Sequence, residues 1–245
     1  MRILVLSDIH ANLTALESVL KDAGDVDATW CLGDVVGYGP DPNECVARLK
    51  MIPNLTCVMG NNDAAALGRI PLESFNNDAR RSIEWILNVI SPESYKFLSQ
   101  LPEKVIVEQV TLAHGSPRNP VWEYILDLHS AAQNFKHFDT QICMVGHTHL
   151  PIAYLENSVE GSFFDVQWFI PPEREGYPIL SRAILNPGSS GQPRDHDPRA
   201  SYGIFSPKNN VWEIHRVEYD INSVQQRIKE SDLPSRHASR LKEGW

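Results

Sequence analysis

No stretch of this sequence approaches the roughly 20 consecutive apolar residues that a helix needs to cross a bilayer, which argues against a membrane protein. The first apolar run, Ile3-Leu4-Val5-Leu6, is too short for a secretory signal and leads straight into Asp8 with no small-residue cleavage site. Cysteine is scarce, and Cys31, Cys45, Cys57 and Cys143 show no CxxC spacing. Three of them lie inside apolar, strand-like runs, which suits small buried hydrophobes in a reducing compartment and predicts a cytoplasmic location. Positive charge is also short: 22 Lys and Arg face 31 Asp and Glu, a formal net charge of -9. That balance argues against an extended phosphate-tracking surface for DNA or RNA. A small anionic substrate remains compatible, because bound cations can reverse the sign of a local pocket. Disorder does not fit either, with only 22% charged residues and apolar runs throughout.

What is present is a chain of 245 residues, 42% hydrophobic, long enough for one sizeable core, so residues 1–245 are expected to form a single domain. Its first half alternates short apolar runs with amphipathic stretches. Ile3 to Leu6 reads as a buried strand, followed by a helix capped by Asn12 that carries Leu13, Leu16 and Leu20 on one face and ends near Gly24. Ala28 to Leu32 reads as a second strand, Pro42 to Met51 as a helix with proline in its first turn, and Leu55 to Met59 as a third strand. This order implies βαβ units and a parallel sheet. A helical region from Phe75 to Gln100 is expected to break at Ser91-Pro92. Val105 to Val107, Thr111 to Ala113 and Ile142 to Val145 then read as strands. Beyond Pro151 a largely antiparallel section is predicted from Val159 to Phe169, Arg182 to Leu185, Ala200 to Phe205 and Val211 to Val217, with a hairpin turn at Lys208-Asn209-Asn210. A last helix after Asp220 would turn Ile221, Val224 and Ile228 inward.

The chemistry follows the strands. They run into Ser7-Asp8-Ile9-His10, Gly33-Asp34-Val35-Val36-Gly37, Gly60-Asn61-Asn62-Asp63, His114-Gly115 and Gly146-His147-Thr148-His149. In an open α/β sheet the loops at the carboxyl ends of strands converge on one edge, where ligands bind. The convergent groups are two Asp carboxylates, an Asn carbonyl and four imidazoles, a mixed O/N set that suits divalent Mn, Fe or Zn. A shared carboxylate, most simply Asp34, would hold two ions roughly 3.5–4 Å apart. Any one of these motifs occurs by chance; five in order do not.

These residues resemble the calcineurin-like metallophosphoesterase family, whose pattern of DxH, GDxx(x)G, GNH followed by Asp or Glu, a separate His and GHxH stands here as DIH, GDVVG, GNND, HG and GHTH. The stretches DIHANL, GDVVGYGPDP, HGSPRNPVWEY, NPGSSGQPR and DPRASY are similar to a small prokaryotic branch of predicted phosphoesterases. The resemblance spans residues 1 to about 205. It implies a four-layer α/β sandwich, two mixed β-sheets flanked by α-helices. It also implies hydrolysis of phosphomono- or phosphodiesters by a metal-bridging hydroxide, with two divalent ions per chain: Mn, Fe or Zn foremost, Ni or Mg as further candidates. By position, Asp8, His10, Asp34 and His149 would bind one metal and Asp34, Asn61, His114 and His147 the other. Asp34, Asn61 and Asp63 are the expected catalytic set. One position departs: the family's GNH histidine, often assigned as proton donor to the leaving group, is Asn62, which cannot act as a general acid. His196 is a weak substitute donor.

Around this set, Arg118 and Arg194 are candidates to clamp a phosphate, with solvated loop arginines the plainer alternative. Asn12 could touch substrate or simply cap its helix. Asn186-Pro187-Gly188-Ser189 reads equally as a β-turn or a pocket-edge loop, and Trp122 and Tyr124 as pocket lining or core. His129, His137, His215 and His237 read as ordinary surface or core groups. The expected partner is a small phosphoester; nothing in the sequence fixes the oligomeric state. Rival readings are a dinucleoside-polyphosphate or protein phosphatase of the same fold, and a metal-binding scaffold without turnover.

Overall fold

A computed structural model describes residues 1–157 and 166–245. Among them are twelve strands and eight α-helices, and the strands form two six-stranded sheets. In the first sheet β1 (Ile3–Leu6), β2 (Ala28–Cys31) and β3 (Leu55–Cys57) run parallel. β11 (Ala200–Ser206), β12 (Val211–Val217) and β9 (Tyr177–Pro178) extend it antiparallel beyond β1. The second sheet has the order β4 (Lys104–Val107), β5 (Val110–Ala113), β6 (Ile142–Met144), β10 (Ala183–Pro187), β7 (Pro151–Glu156), β8 (Val166–Phe169). Both sheets are mixed, as the family resemblance implied.

Side-chain alternation along β1 explains the layering. Ile3 and Val5 point into the core between the sheets, where they meet Trp30, Leu112, Met144, Leu185 and Trp212. Leu4 and Leu6 point the other way, onto α1 (Leu13–Ala23) and α2 (Pro42–Lys50) through Leu16, Val19, Val46 and Leu49. A period of two with both faces buried is what a central strand under helices requires. On the outer face of the second sheet, α6 (Leu128–Asn134) packs Ala131 against Cys143, Tyr154 and Ile184. The four cysteines are buried free thiols.

The helical region expected over Phe75 to Gln100 is two helices, α4 (Asn77–Val89) and α5 (Pro92–Ser99), with Ser91 capping the second. Three helices have no counterpart among the sequence expectations: α3 (Asn61–Ala66), α6 and α8 (Ser235–Glu243). β7 and the two-residue β9 are likewise additional. Of the strand expected from Val159 to Phe169, the part up to residue 165 lies outside the described residues and the remainder is β8. The section beyond Pro151 is antiparallel, except that β10 joins β6 in parallel. The predicted hairpin turn closes β11 onto β12 with Asn210 left-handed, and the helix after Asp220 is α7 (Ile221–Glu230), with Val224 and Ile228 buried.

Candidate metal centre

The loops leaving β1, β2, β3, β5 and β6 meet at one end of the two sheets. Main-chain bonds fasten them to one another before any side chain is considered: Asp8 N–H donates to Gly33 O (3.0 Å), His10 N–H to Asp34 O (2.9 Å) and Ala11 N–H to Val35 O (2.9 Å). The loop after β10 closes underneath, with Gly191 N–H on Asp8 O (3.0 Å) and the Ser189 hydroxyl on the same oxygen (2.8 Å). Asn186 and Pro187 end β10, and Asn186 and Ser189 bond the Gly146 and Asp8 carbonyls, so this stretch braces the first and last motifs from behind. Backbones approach so closely that a Cβ on Gly60 would lie 2.1 Å from Asp34 Oδ1.

Seven side chains converge. Asp8, His10 and His149 form one buried group and Asp34, His114 and His147 a second; within each group the possible ligand atoms lie within 4.8 Å of one another. Asp34 reaches both: its Oδ2 is 3.6 Å from His10 Nε2 and 3.5 Å from His114 Nε2. Asn61 Oδ1 is 3.1 Å from His114 Nε2, which places it with the second group.

The ring nitrogens give a test of what these groups fit. A carbonyl oxygen only accepts, so a ring nitrogen facing one carries the proton. His10 Nδ1 faces Val36 O (3.2 Å), His149 Nδ1 faces Gln192 O (2.5 Å), His114 Nδ1 faces Leu32 O (2.8 Å) and His147 Nε2 faces Trp122 O (3.1 Å). When each ring is neutral, its other nitrogen presents a lone pair inward. His10 Nε2 and His149 Nε2 then oppose each other at 3.1 Å, as do His114 Nε2 and His147 Nδ1. Opposed lone pairs beside carboxylates suit a cation, and outward N–H groups held by carbonyls are the usual support of a metal-ligating histidine. Asp8 Oδ1, buried with no hydrogen-bond partner, has the same orientation. The donor set fits two divalent ions.

The electrostatics agree. Burial first, then the nearest basic neighbour (His149 for His10, His114 for His147, Arg194 for His149), lowers His10, His147 and His149 below the ordinary imidazole value, favouring the neutral ligand form. Burial raises Asp34 to about 7, with Asp63 and Asp8 adding to the rise. Burial would raise Asp8 as well, but the imidazoles, His149 first, hold it below its usual range. His114 is raised, because Asp34 and Asp8 outweigh its burial. Two crowded carboxylates among imidazoles form an anionic nest that cations would relieve.

The remaining sequence candidates fall out unevenly. Both oxygens of Asp63 are taken by main-chain N–H groups, Oδ2 by Gly60 and Oδ1 by Val36, each at 3.0 Å, so it ties α3 to the Asp34 loop and does not face the ligand atoms. Asn62 also points inward, its amide on Asp34 Oδ2 (2.7 Å) and its N–H on Asp34 Oδ1 (2.8 Å). Asn12 is a helix cap, accepting from Ala15 N–H (3.0 Å) and donating to Gly191 O (2.9 Å). Arg118 is a correction: it is exposed and engaged by Glu123, whose carboxyl it holds down to about 2. It is spent on a loop ion pair rather than turned to the centre. His196 is exposed, its main chain bound to Gly244 O.

Arg194 stands apart. Its Nε is buried without a partner, and no described carboxylate lies within 4.0 Å of its guanidinium. Its Cζ sits 5.8 Å from the ring of Tyr38, which lies 4.4 Å from the ring of His10. Tyr124 stacks on His147 at 3.7 Å. The sequence reading passed over Tyr38, although it sits inside GDVVGYGPDP directly after the Asp34 motif. His237, expected only as an ordinary surface or core group, has its ring 4.8 Å from that of Tyr38 and carries α8 to the edge of the site.

Comparison with known proteins accords with this geometry. The family model for the calcineurin-like phosphoesterase superfamily domain matches residues 1–210. An uncharacterized protein of Methanocaldococcus jannaschii is 39% identical over 98% of this chain and 96% of its own. The crystal structure of a metallophosphoesterase from Sphaerobacter thermophilus is 45% identical, covers 100% of this chain and 99% of its own, and superposes with a TM-score of 0.90. A hypothetical protein of Pyrococcus horikoshii, 19% identical, shares the fold over 100% of this chain and 98% of its own with a TM-score of 0.80.

Proposed function

Because this chain belongs to the calcineurin-like phosphoesterase superfamily, we propose that it is a hydrolase of small phosphomono- or phosphodiesters that works with two divalent metal ions. The observation that carries the reading is the pair of buried ligand groups sharing Asp34, with lone pairs aimed inward by four main-chain carbonyls. Asp8, His10 and His149 hold one ion, Asn61, His114 and His147 the other, and Asp34 belongs to both. Mn, Fe and Zn suit this donor set best. Such ions, when bound, lower the pKa of water and draw charge from phosphoryl oxygens.

The chain supplies the rest. Arg194, the guanidinium without a carboxylate, binds the phosphate and offsets charge gathering on its oxygens. Tyr38 packs between Arg194 and His10 and sets the guanidinium's height above the ligands. Asp63 acts by position, fixing the Asp34 loop against α3. Asn62 holds Asp34 and has no proton to give, so leaving groups that need little protonation, such as aryl oxides, are favoured. We take residues 1–245 as one domain, since Arg227 of α7 pairs with Asp41 (2.9 Å) and bonds Thr14 (2.8 Å) of the matched region. No described helix is long and apolar enough to cross a membrane, and the buried free thiols suit a cytoplasmic setting.

The test is hydrolysis of an aryl phosphomonoester and an aryl phosphodiester by metal-stripped protein after adding back Mn, Fe, Zn, Ni or Mg, beside Asp34→Asn. Metal-restored turnover that vanishes in the variant supports the reading. Two bound metals without turnover of either ester would overturn it in favour of a scaffold.

A further inference from the structure

Exposed apolar side chains on this protein are not scattered evenly. Leu126, Trp168 and Ile170 are 60%, 54% and 61% exposed, and they stand together around one groove of about 600 Å³. Leu150, Ile152 and Tyr154 complete its walls. The groove runs between the segment leading into α6 and the outer face of β7 and β8. Clustered exposed apolar surface of this kind marks a place where something binds, and the volume is that of a small-molecule site.

Its position ties it to the metal centre. Leu150 directly follows the ligand residue His149, and Asp195 at its rim directly follows Arg194. Leu126 is two residues from Tyr124, which stacks on His147. Consecutive Cα atoms are about 3.8 Å apart, so three separate segments carry the wall of the groove to within one or two residues of the proposed site.

Its chemistry narrows the occupant. No Lys or Arg lines it. Its two carboxylates are engaged locally, Asp127 by Ser130 N–H at the head of α6 and Asp195 by Arg216. His129 is the one basic side chain on its lining, so a second phosphate would find no Lys or Arg there and the Asp127 carboxylate beside it, whereas an uncharged chain or ring would find a largely apolar wall.

We infer that the groove holds the organic group of the phosphoester, and that the enzyme selects esters carrying a large, uncharged alkyl or aryl group. This rests on the hydrolase reading above, with the phosphate at Arg194 and the organic group beyond Leu150.

The test uses methyl, butyl and octyl 4-nitrophenyl phosphates with the metal-restored protein. All release the same 4-nitrophenolate, so only the retained group varies. kcat/KM is expected to rise by up to about fourfold for each methylene that enters the groove, the equivalent of about 0.8 kcal/mol. Trp168→Ala and, separately, Ile170→Ser should each lower the octyl-to-methyl ratio severalfold; both side chains are mostly exposed, and the ratio is internally controlled for folding. A readout independent of turnover is the change in tryptophan fluorescence on adding octylphosphonate, with Trp168→Phe as the blank. Turnover that is flat along the series overturns the groove assignment and leaves the hydrolase standing. A fluorescence change lost in Trp168→Phe, with no ester hydrolysed under any metal, supports the groove and removes the hydrolase reading. If octylphosphonate gives no signal and Trp168→Ala instead converts a dimer to a monomer, the face belongs to a second copy of the chain and the inference fails.

Discussion

Lowering the pH should loosen the C-terminal helix from the metal centre through one residue, His237. Its Nε2–H donates to Asp78 O at 3.2 Å, and its Nδ1 is buried with no partner. Burial, and then Arg240 and Arg194, push the imidazole down to about 4 from 6.5, although the Asp78 carbonyl and charge pull the other way. The unfolded chain therefore binds the extra proton between those two values and the folded chain does not. The stability that the neutral ring contributes is fully present above 6.5 and is lost as pH falls toward 4. A difference of about 2.5 pKa units corresponds to about 3 kcal/mol in all, of which about 2 kcal/mol is lost between about pH 7.5 and about pH 5. Urea unfolding of the wild type and His237→Gln over that range reads it directly. Other groups titrate alike in both proteins, so the quantity to follow is the gap between them, which should close by about 2 kcal/mol on acidification. Amide exchange over residues 235–243 should accelerate in the wild type over the same range. A gap independent of pH would refute the argument, because an unpartnered buried imidazole must resist protonation.

Three further outcomes follow from the same geometry. Arg194→Ala should lower kcat/KM for phosphoesters by about a hundredfold or more while leaving the melting temperature unchanged or raised, since Arg194 has no carboxylate to lose and lies near Arg240 and the imidazoles. Adding the preferred metal to the stripped protein at about a hundred times its Kd should stabilise it by about 2.7 kcal/mol, a shift of about 5–10 °C in Tm that Asp34→Asn abolishes. Gly60→Ala should cost about 3 kcal/mol and abolish metal binding measured by calorimetry, because its methyl would lie 2.1 Å from Asp34 Oδ1. Gly68→Ala, with nothing within 4 Å, should bear only the smaller penalty of its left-handed backbone.

The convergence of the seven candidate ligands was legible in the sequence because each motif is local: DIH, GDVVG, GNND and GHTH declare their side chains and the strand that precedes them. What orients those side chains was not legible. The carbonyls of Val36, Leu32, Trp122 and Gln192 fix all four tautomers, and a carbonyl has no residue identity to read. Arg118 misled for a related reason. Its partner Glu123 is five residues away in the same irregular loop, where no helical or strand period pairs positions. α8 was hidden by composition, since SRHASRLKE is polar on most faces and only His237, Ala238 and Leu241 are buried. α3 was hidden by its own chemistry, a six-residue helix whose first residues carry the Asn61 motif.

The backbone explains why so few residue types serve at these positions. Asp8, His10, Asp34, His147 and His149 all adopt left-handed conformations, with φ between 48° and 67°. For residues with a Cβ this costs about 1–2 kcal/mol each, together comparable to the whole net stability of a typical domain. Glycine would remove the strain and with it the ligand. Asp, Asn and His tolerate this region better than other side chains, and they are also the residues that bind borderline metals. The two requirements select the same residue types, so the strain does not have to be bought off by weakening the donor set. Around Asp8, His10 and Asp34 it is held by main chain instead, through the bonds from Asp8 to Gly33, His10 to Asp34, Ala11 to Val35 and Gly191 to Asp8, while the His147 N–H is held by Asp8 Oδ2 at 3.0 Å. A site held this way keeps its lone pairs convergent whatever the outer loops do. Variation at Tyr124, Leu126 and Trp168 can then accumulate without disturbing the seven convergent side chains.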